Sequence, residues 1–163
     1  MTQTLRTGLV GYGFASKTFH SPLIDGTPGL ELAVVSSSDA GKVHADWPNV
    51  EVVDSPEKLF ADASIDLVVI PTPNTTHFPL AKLALEAGKH VIVDKPFTVT
   101  LEEARELDAL AQLVLPVQAL LVDGRGDVVG AGRAVGIGLL DLDIGGQPAR
   151  AVHVLRGHGQ LLV

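Results

Sequence analysis

The chain has 163 residues, 46% of them hydrophobic and 19% charged, and a net charge of −7. That makes one folded domain with a real core, and the negative charge argues against nucleic acid as a partner. The absence of cysteine excludes disulfides, thiolate catalysis and cysteine zinc sites; no metal site is indicated, and with neither a signal-like core in Met1 to Thr7 nor an apolar run near the ~18 residues of a spanning helix, the expectation is a cytoplasmic protein with no membrane partner.

Leu5 to Val10 reads as the first strand and ends at Gly11. A helix over Ser16 to Ile24 follows, shortened or kinked by Pro22. Leu30 to Val35 is the second strand, succeeded by the polar run Ser36-Ser37-Ser38-Asp39. Glu51 to Val53 is a brief third strand. Ser55-Pro56-Glu57 starts a helix, with a serine N-cap and proline at the first helical position. Asp66 to Ile70 is almost continuously apolar, as in a strand covered on both faces. Phe78 to Ala87 has helical spacing and Gly88 stops it. His90 to Val93 is the next strand. Thr100-Leu101-Glu102-Glu103 is a capping box that opens an amphipathic helix through Leu107 and Leu110. Strands alternating with helices at these intervals predict an α/β fold, a doubly wound parallel sheet of the Rossmann type.

The pattern changes after Gln112. Residues 1–112 hold 15 acids and 8 bases, whereas residues 113–163 hold four of each. The latter segment has ten of the 17 glycines and no Ser, Thr, Lys, Glu, Asn or aromatic residue. The chain therefore divides into a nucleotide-binding domain, 1–112, and an unassigned Gly/Val/Leu-rich tail, 113–163. Two explanations stand. The tail is translated out of frame, since G- and C-rich codons read that way yield Gly, Ala, Val, Arg and Leu. Alternatively it is a genuine segment in which Val114 to Val122 supplies a sixth strand. Val152 to Leu155 has the make-up of one further strand.

Chemistry gathers at the ends of the strands. Gly11 and Gly13 permit a tight turn and close approach of the backbone to a pyrophosphate, with the free N–H groups of the next helix, from Phe14 and Ala15 onward, facing that anion. Ser16 stands where the fingerprint has its third glycine. At the end of the second strand, a carboxylate selects NAD and small hydroxyl residues with a nearby cation admit NADP. Here Ser36 and Ser37 with Lys42 favour a 2′-phosphate, and Asp39 repels one if it points inward. The cofactor is NAD or NADP, with the balance on NADP. Pro71 and Pro73 hold their loop extended, so that Thr72 and Asn74 offer polar groups at the carboxyl end of the sheet, with His77 either pointing into the cleft or standing as a helix-start histidine that touches backbone. His20, His44 and His90 show no partner pattern and read as surface or packing residues. Asp94-Lys95-Pro96 follows the fifth strand. Lys95 is the candidate catalytic residue, placed to hydrogen-bond a substrate oxygen and to stabilise charge on it.

These stretches resemble the Gfo/Idh/MocA oxidoreductase family. The resemblance is carried by Gly8 to Gly13, by Pro71 to His77 and by Gly88 to Pro96, over about residues 3 to 112, with Asp94 where the family usually has glutamate. Gly13 to His20 resembles one bacterial branch. The resemblance implies NAD(P) bound by the Gly11 turn, the Ser36 region, the Pro71–His77 loop, Asp94 and Lys95. It also implies hydride exchange with a sugar or polyol hydroxyl or ketone, and leaves a homo-oligomer open. Family members typically carry a second α+β substrate domain, and nothing after Gln112 resembles it. The expectations are accordingly an oxidoreductase that is truncated and inactive alone, or a stand-alone NAD(P)-binding module or sensor without catalysis.

Overall fold

The computed structural model describes residues 4–114, with side chains through residue 112, and beyond them the strand backbones at 119–122, 128–132, 134–137 and 154–156. Five parallel strands form the centre: β1 (Leu5–Val10), β2 (Leu30–Ser36), β3 (Glu51–Val53), β4 (Leu67–Ile70) and β5 (His90–Val93). Their spatial order is β3-β2-β1-β4-β5. The helices between them are α1 (Ser21–Gly26), α2 (Ala40–His44), α3 (Pro56–Ala61), α4 (Asn74–Glu86) and α5 (Leu101–Val114).

Strand alternation sends neighbouring residues to opposite faces, and both faces are covered. Val10, Val34, Val68, Ile70, Val91 and Val93 join Leu59, Phe60, Ala84, Leu85 and Leu107 in one core. Leu9, Leu32, Val35 and Val69 join Tyr12, Ile24 and Val43 in the other. Burying each such side chain contributes about 1.5–3 kcal/mol, which is why the apolar runs read correctly as strands.

Capping follows the sequence. Ser55 accepts from the Lys58 N–H at 3.4 Å. Thr100 and Glu103 form the reciprocal pair, at 3.2 and 3.0 Å. Prolines are less faithful guides. The first helix is not shortened at Pro22; helical backbone begins at Phe14 and continues through a π-helical segment, Ser16–His20, into α1. There Ser21 N–H donates to the Ser16 carbonyl, five residues back. The wider turn accommodates a residue that lacks an N–H and crowds the preceding turn. Likewise α4 begins at Asn74, not Phe78, and runs through Pro79. Burial of Phe78, Leu80, Ala81, Ala84 and Leu85 outweighs the punctuation. Helix α2 was not foreseen; Asp39 caps it.

Beyond α5, Ala119–Val122 (β6) and Val128–Gly132 (β7) form an antiparallel pair, Ala134–Ile137 (β8) lies parallel beside β5, and Val154–Arg156 (β9) runs antiparallel to β8. The expectation of a sixth sheet strand within Val114 to Val122 is thus corrected. Its described backbone, Ala119–Val122, pairs with β7 in a separate two-stranded sheet, where antiparallel partners close in sequence meet. The expected strand at Val152 to Leu155 is met in part by β9, whose described backbone begins at Val154.

Candidate functional site: the carboxyl edge of the sheet

β1 pairs with β2 on one side and β4 on the other, so the connections leave in opposite directions and open a crevice at the strand ends. The glycine turn lies at that point. Gly11 has φ 78°, a conformation that L side chains rarely adopt, and its N–H donates to the Ser36 carbonyl at 2.8 Å. Gly13 is different. A Cβ built there meets nothing within 4 Å, so the protein's own packing does not require glycine at this position. Helical hydrogen bonding starts on Gly13, whose carbonyl accepts from Lys17 N–H at 3.0 Å. The N–H groups of Phe14 and Ala15 belong to the first helical turn and lack intrahelical partners. The Phe14 side chain is 77% exposed and meets Phe19 edge-on, with centroids 5.8 Å apart. Ser16, in the third glycine's place, is buried.

The middle of the turn is bolted from below. The Tyr12 ring lies in the core and its hydroxyl donates to Asp46 Oδ2 at 2.9 Å. Lys17 Nζ meets the same carboxylate at 2.8 Å. Burial, helped by Asp46, pushes the Tyr12 phenol up. The hydrogen bonds from Lys17 and then Tyr12 hold Asp46 below the usual carboxylate range.

A cleft of about 560 Å³ extends from this turn along the end of β2, lined by Gly11, Ser36, Ser37, Ser38, Asp39, Lys42, Thr72 and Thr76 among others. Ser36 is buried and Ser37 half-buried. Asp39 Oδ1 accepts from the Lys42 N–H at 3.0 Å, so the carboxylate is engaged as the cap of α2.

The loop after β4 is Pro71-Thr72-Pro73, shorter than expected because Asn74 already begins α4, where its side chain is exposed. Thr76 Oγ1 lies 2.7 Å from Thr72 Oγ1 and 2.6 Å from the Pro73 carbonyl. Of the two readings of His77, the structure shows the helix-start residue on backbone and not the cleft residue. Its side chain is fully buried. Nε2 is 2.7 Å from the Thr72 carbonyl and Nδ1 is 2.8 Å from the Pro96 carbonyl. The ring thus has no free polar atom for a ligand.

After β5, Asp94 Oδ1 accepts from the Lys95 N–H at 2.8 Å, and Oδ2 lies 3.4 Å from His20 Nε2. Lys95 is exposed and has no ion-pair partner among the described residues. The His20–Asp94 contact joins residues 74 apart, and no sequence signal pointed to it. His44 Nε2 meets the Val50 carbonyl at 3.1 Å. His90 is half-buried, and burial pushes it down. Among the described residues no group of three or more His, Asp or Glu is placed to hold a metal, and no helix is long and apolar enough to cross a membrane.

A glycine turn opening a helix at the reversal point of a doubly covered parallel sheet defines a dinucleotide-binding Rossmann domain. Residues 5–114 match the model of an oxidoreductase family with an NAD-binding Rossmann fold, GFO_IDH_MocA. The chain belongs to this Gfo/Idh/MocA family. It is 67% identical over 127 residues to the uncharacterized oxidoreductase YdgJ of Escherichia coli (strain K12), covering 78% of this chain and 37% of that protein. An alignment of 127 residues necessarily runs past Gln112, so similarity continues into the segment where none was expected. It is 35% identical over 108 residues to scyllo-inositol 2-dehydrogenase (NADP(+)) IolW of Bacillus subtilis (strain 168), covering 66% of this chain and 30% of that one. The solved structure of YPO2259 from Yersinia pestis matches with a TM-score of 0.67 and 69% identity, over 69% of this chain and 32% of the other. The chain spans about a third of the length of the curated relatives it matches.

Proposed function

We propose that the carboxyl edge of the sheet binds NADP(H) in preference to NAD(H), and that the protein belongs to an NADP-dependent oxidation of a sugar or polyol hydroxyl, or the reverse reduction. The observation that carries the cofactor reading is Gly13. It faces space that the protein does not fill, beside the unpaired N–H groups of Phe14 and Ala15. A pyrophosphate fits that cradle.

The remaining assignments follow from position. Ser36 and Ser37 with Lys42 receive the 2′-phosphate, because Asp39 is engaged as a helix cap and its repulsion is weakened by that role. Thr72 and Asn74 flank the middle of the cofactor. Asp94 fixes the Lys95 backbone and, through His20, ties the loop to the first helix. When bound, the nicotinamide supplies the hydride acceptor or donor. Lys95 Nζ donates a hydrogen bond to the substrate oxygen and lowers the cost of negative charge on it. IolW, named as an NADP(+)-dependent inositol dehydrogenase, supports both the cofactor and the substrate class. Localisation in the cytoplasm and a homo-oligomeric state belong to the same proposal.

A second reading, cofactor binding without turnover, is favoured by the described cleft itself. Its lining residues lie between Val10 and Leu80, and Lys95 is not among them. The division into a 1–112 cofactor domain and a 113–163 tail read out of frame belongs with this reading. Sequencing the gene through codons 110–140 decides it, and an uninterrupted frame that continues the relatives' sequence removes it.

Titration of the chain with NADPH and NADH, read by Trp47 fluorescence and thermal melting, tests the cofactor. NADPH at 100 times its dissociation constant raises stability by about 2.7 kcal/mol. Absence of a shift with either nucleotide refutes cofactor binding, and a larger shift with NADH reverses the NADP assignment. A turnover screen against sugars and polyols then separates the two readings.

A further inference from the structure

Asp46 lies just beyond α2 and 34 positions after Tyr12, and its carboxylate meets the residues on both sides of the Gly13–Ser16 cradle. On one side the Tyr12 hydroxyl donates to Oδ2 at 2.9 Å. On the other, Lys17 Nζ donates to Oδ1 at 3.1 Å and lies 2.8 Å from Oδ2. The roles are unambiguous, because an ionised carboxylate only accepts and an ammonium only donates. The hydrogen bonds from Lys17 and then Tyr12 lower Asp46, and the same hydrogen bond raises Lys17. The segment that presents Asp46 is itself fixed. The Asp46 and Trp47 N–H groups both donate to the Val43 carbonyl, at 3.1 and 2.8 Å. Trp47 packs against the core that holds Tyr12 and Val43, and its Nε1 donates to the buried Ser21 Oγ at 3.2 Å. Asp46 and Trp47 therefore hold the glycine turn and its helix at Tyr12, Lys17 and Ser21.

Stability alone does not account for this arrangement. The Lys17 and Asp46 side chains are 51% and 32% exposed, so water can replace either partner, and an exposed ion pair adds little to folding. The Tyr12 ring is buried in the core with or without its hydroxyl contact. What the carboxylate fixes is direction. Gly13 brings no side-chain packing of its own, so the orientation of the Phe14 and Ala15 N–H groups is set by the contacts on either side of them. Donors fixed beforehand bind an anion more tightly than donors that must be ordered on binding. We propose that Asp46 is a positioning residue: by holding Tyr12 and Lys17 on one carboxylate, it sets the Phe14 and Ala15 N–H groups to receive a pyrophosphate. The role toward the cofactor rests on the binding proposed above, whereas the brace itself does not. Asp46 acts through these neighbours, since it is not among the residues that line the cleft.

The test compares the full chain with Asp46→Ala, both labelled with ¹⁵N and titrated with NADPH and, to millimolar concentration, with 2′-AMP, which carries the 2′-phosphate but no pyrophosphate. Asp46→Ala is expected to bind NADPH about tenfold more weakly and 2′-AMP within about twofold of the parent, with a melting temperature within a few degrees. Undiminished NADPH affinity, or an equal loss for both ligands, overturns the positioning role. Asp46→Asn keeps an oxygen for the Tyr12 hydroxyl and is expected to recover part of the NADPH affinity. Should the alanine variant not fold, undiminished NADPH affinity in Asp46→Asn overturns the role instead. Failure of the wild-type chain to bind either NADPH or NADH overturns the cofactor reading. Hydrogen exchange at the Lys17 amide, which donates to the Gly13 carbonyl, then decides the brace unaided. Faster exchange there in the variant, with the β4 amides unchanged, supports it; an unchanged rate or a uniform acceleration overturns it.

Discussion

The two sides of the crevice are fixed by opposite means. On the β1 side, the glycine turn is a local feature: Gly11 adopts a positive φ, Gly13 leaves space empty, and the Tyr12 hydroxyl ties the turn to Asp46 at the surface. On the β4–β5 side, two loops 20 or more residues apart in sequence are held by one buried ring. The difference reflects what each side presents. Backbone N–H groups need an unobstructed approach, so the face of the first side is built by omission of side chains. A long, exposed Lys95 needs a fixed base, so the second is built by bracing.

The comparison can be broken at several points. The largest effect is expected for Gly13→Val. The new side chain occupies the empty cradle, so NADPH affinity should fall about a hundredfold, while the melting temperature of the free protein stays within a few degrees. Equal losses in both would show that Gly13 serves the fold and not a ligand. Next is Gly8→Ala, deep in β1, where a Cβ would lie 2.6 Å from Leu59 Cδ2 in the core. Overpacking should cost about 1–3 kcal/mol in chemical denaturation. Because the two residues share that space, Gly8→Ala combined with Leu59→Ala should lose less than the sum of the single changes. Additive losses would mean that the contact is not what makes Gly8 necessary.

Tyr12→Phe removes the hydroxyl under the glycine turn and should cost about 0.5–1.5 kcal/mol in denaturant melts, with a smaller effect on NADPH affinity than Asp46→Ala, which also frees Lys17. The reverse ranking would place the hold on the turn in the hydroxyl alone. The smallest effect concerns His90. Burial lowers its folded pKa below the ordinary 6.5, so the unfolded chain takes up the proton first as pH falls. Stability from this group is full above about pH 6.5 and is lost as pH drops from there through the folded pKa. Melting temperature followed from pH 7.5 to 5 should decline less steeply in His90→Gln than in the parent; parallel curves would remove His90 as the cause.

Much of the fold was legible because its signals are short-range. A continuous apolar run needs no partner to be recognised: Leu67-Val68-Val69-Ile70 is apolar at every position, so both of its faces had to be covered, and they are. Ser55 and Thr100 announced their helices through caps that span three residues. Pro22 was only a partial guide, because a proline's penalty is local and the compensation is not. Pro79 sits in a helix whose apolar side is buried against the sheet, and Pro22 is accommodated by a widened turn. In the site, Gly11 was readable from its place after a strand, whereas the reason for Gly8, a leucine 51 positions away, was not.

By itself the sequence determined the alternation of strands and helices, the family, and the glycine turn after the first strand, since periodicity, capping and backbone freedom act over a few residues. The tertiary structure decided what each polar group does. His77 lies buried between two loop carbonyls, Asp39 caps a helix and Asp94 meets His20, because hydrogen-bond partners are chosen by which loops the sheet brings together, and that proximity is written in no single stretch of the chain.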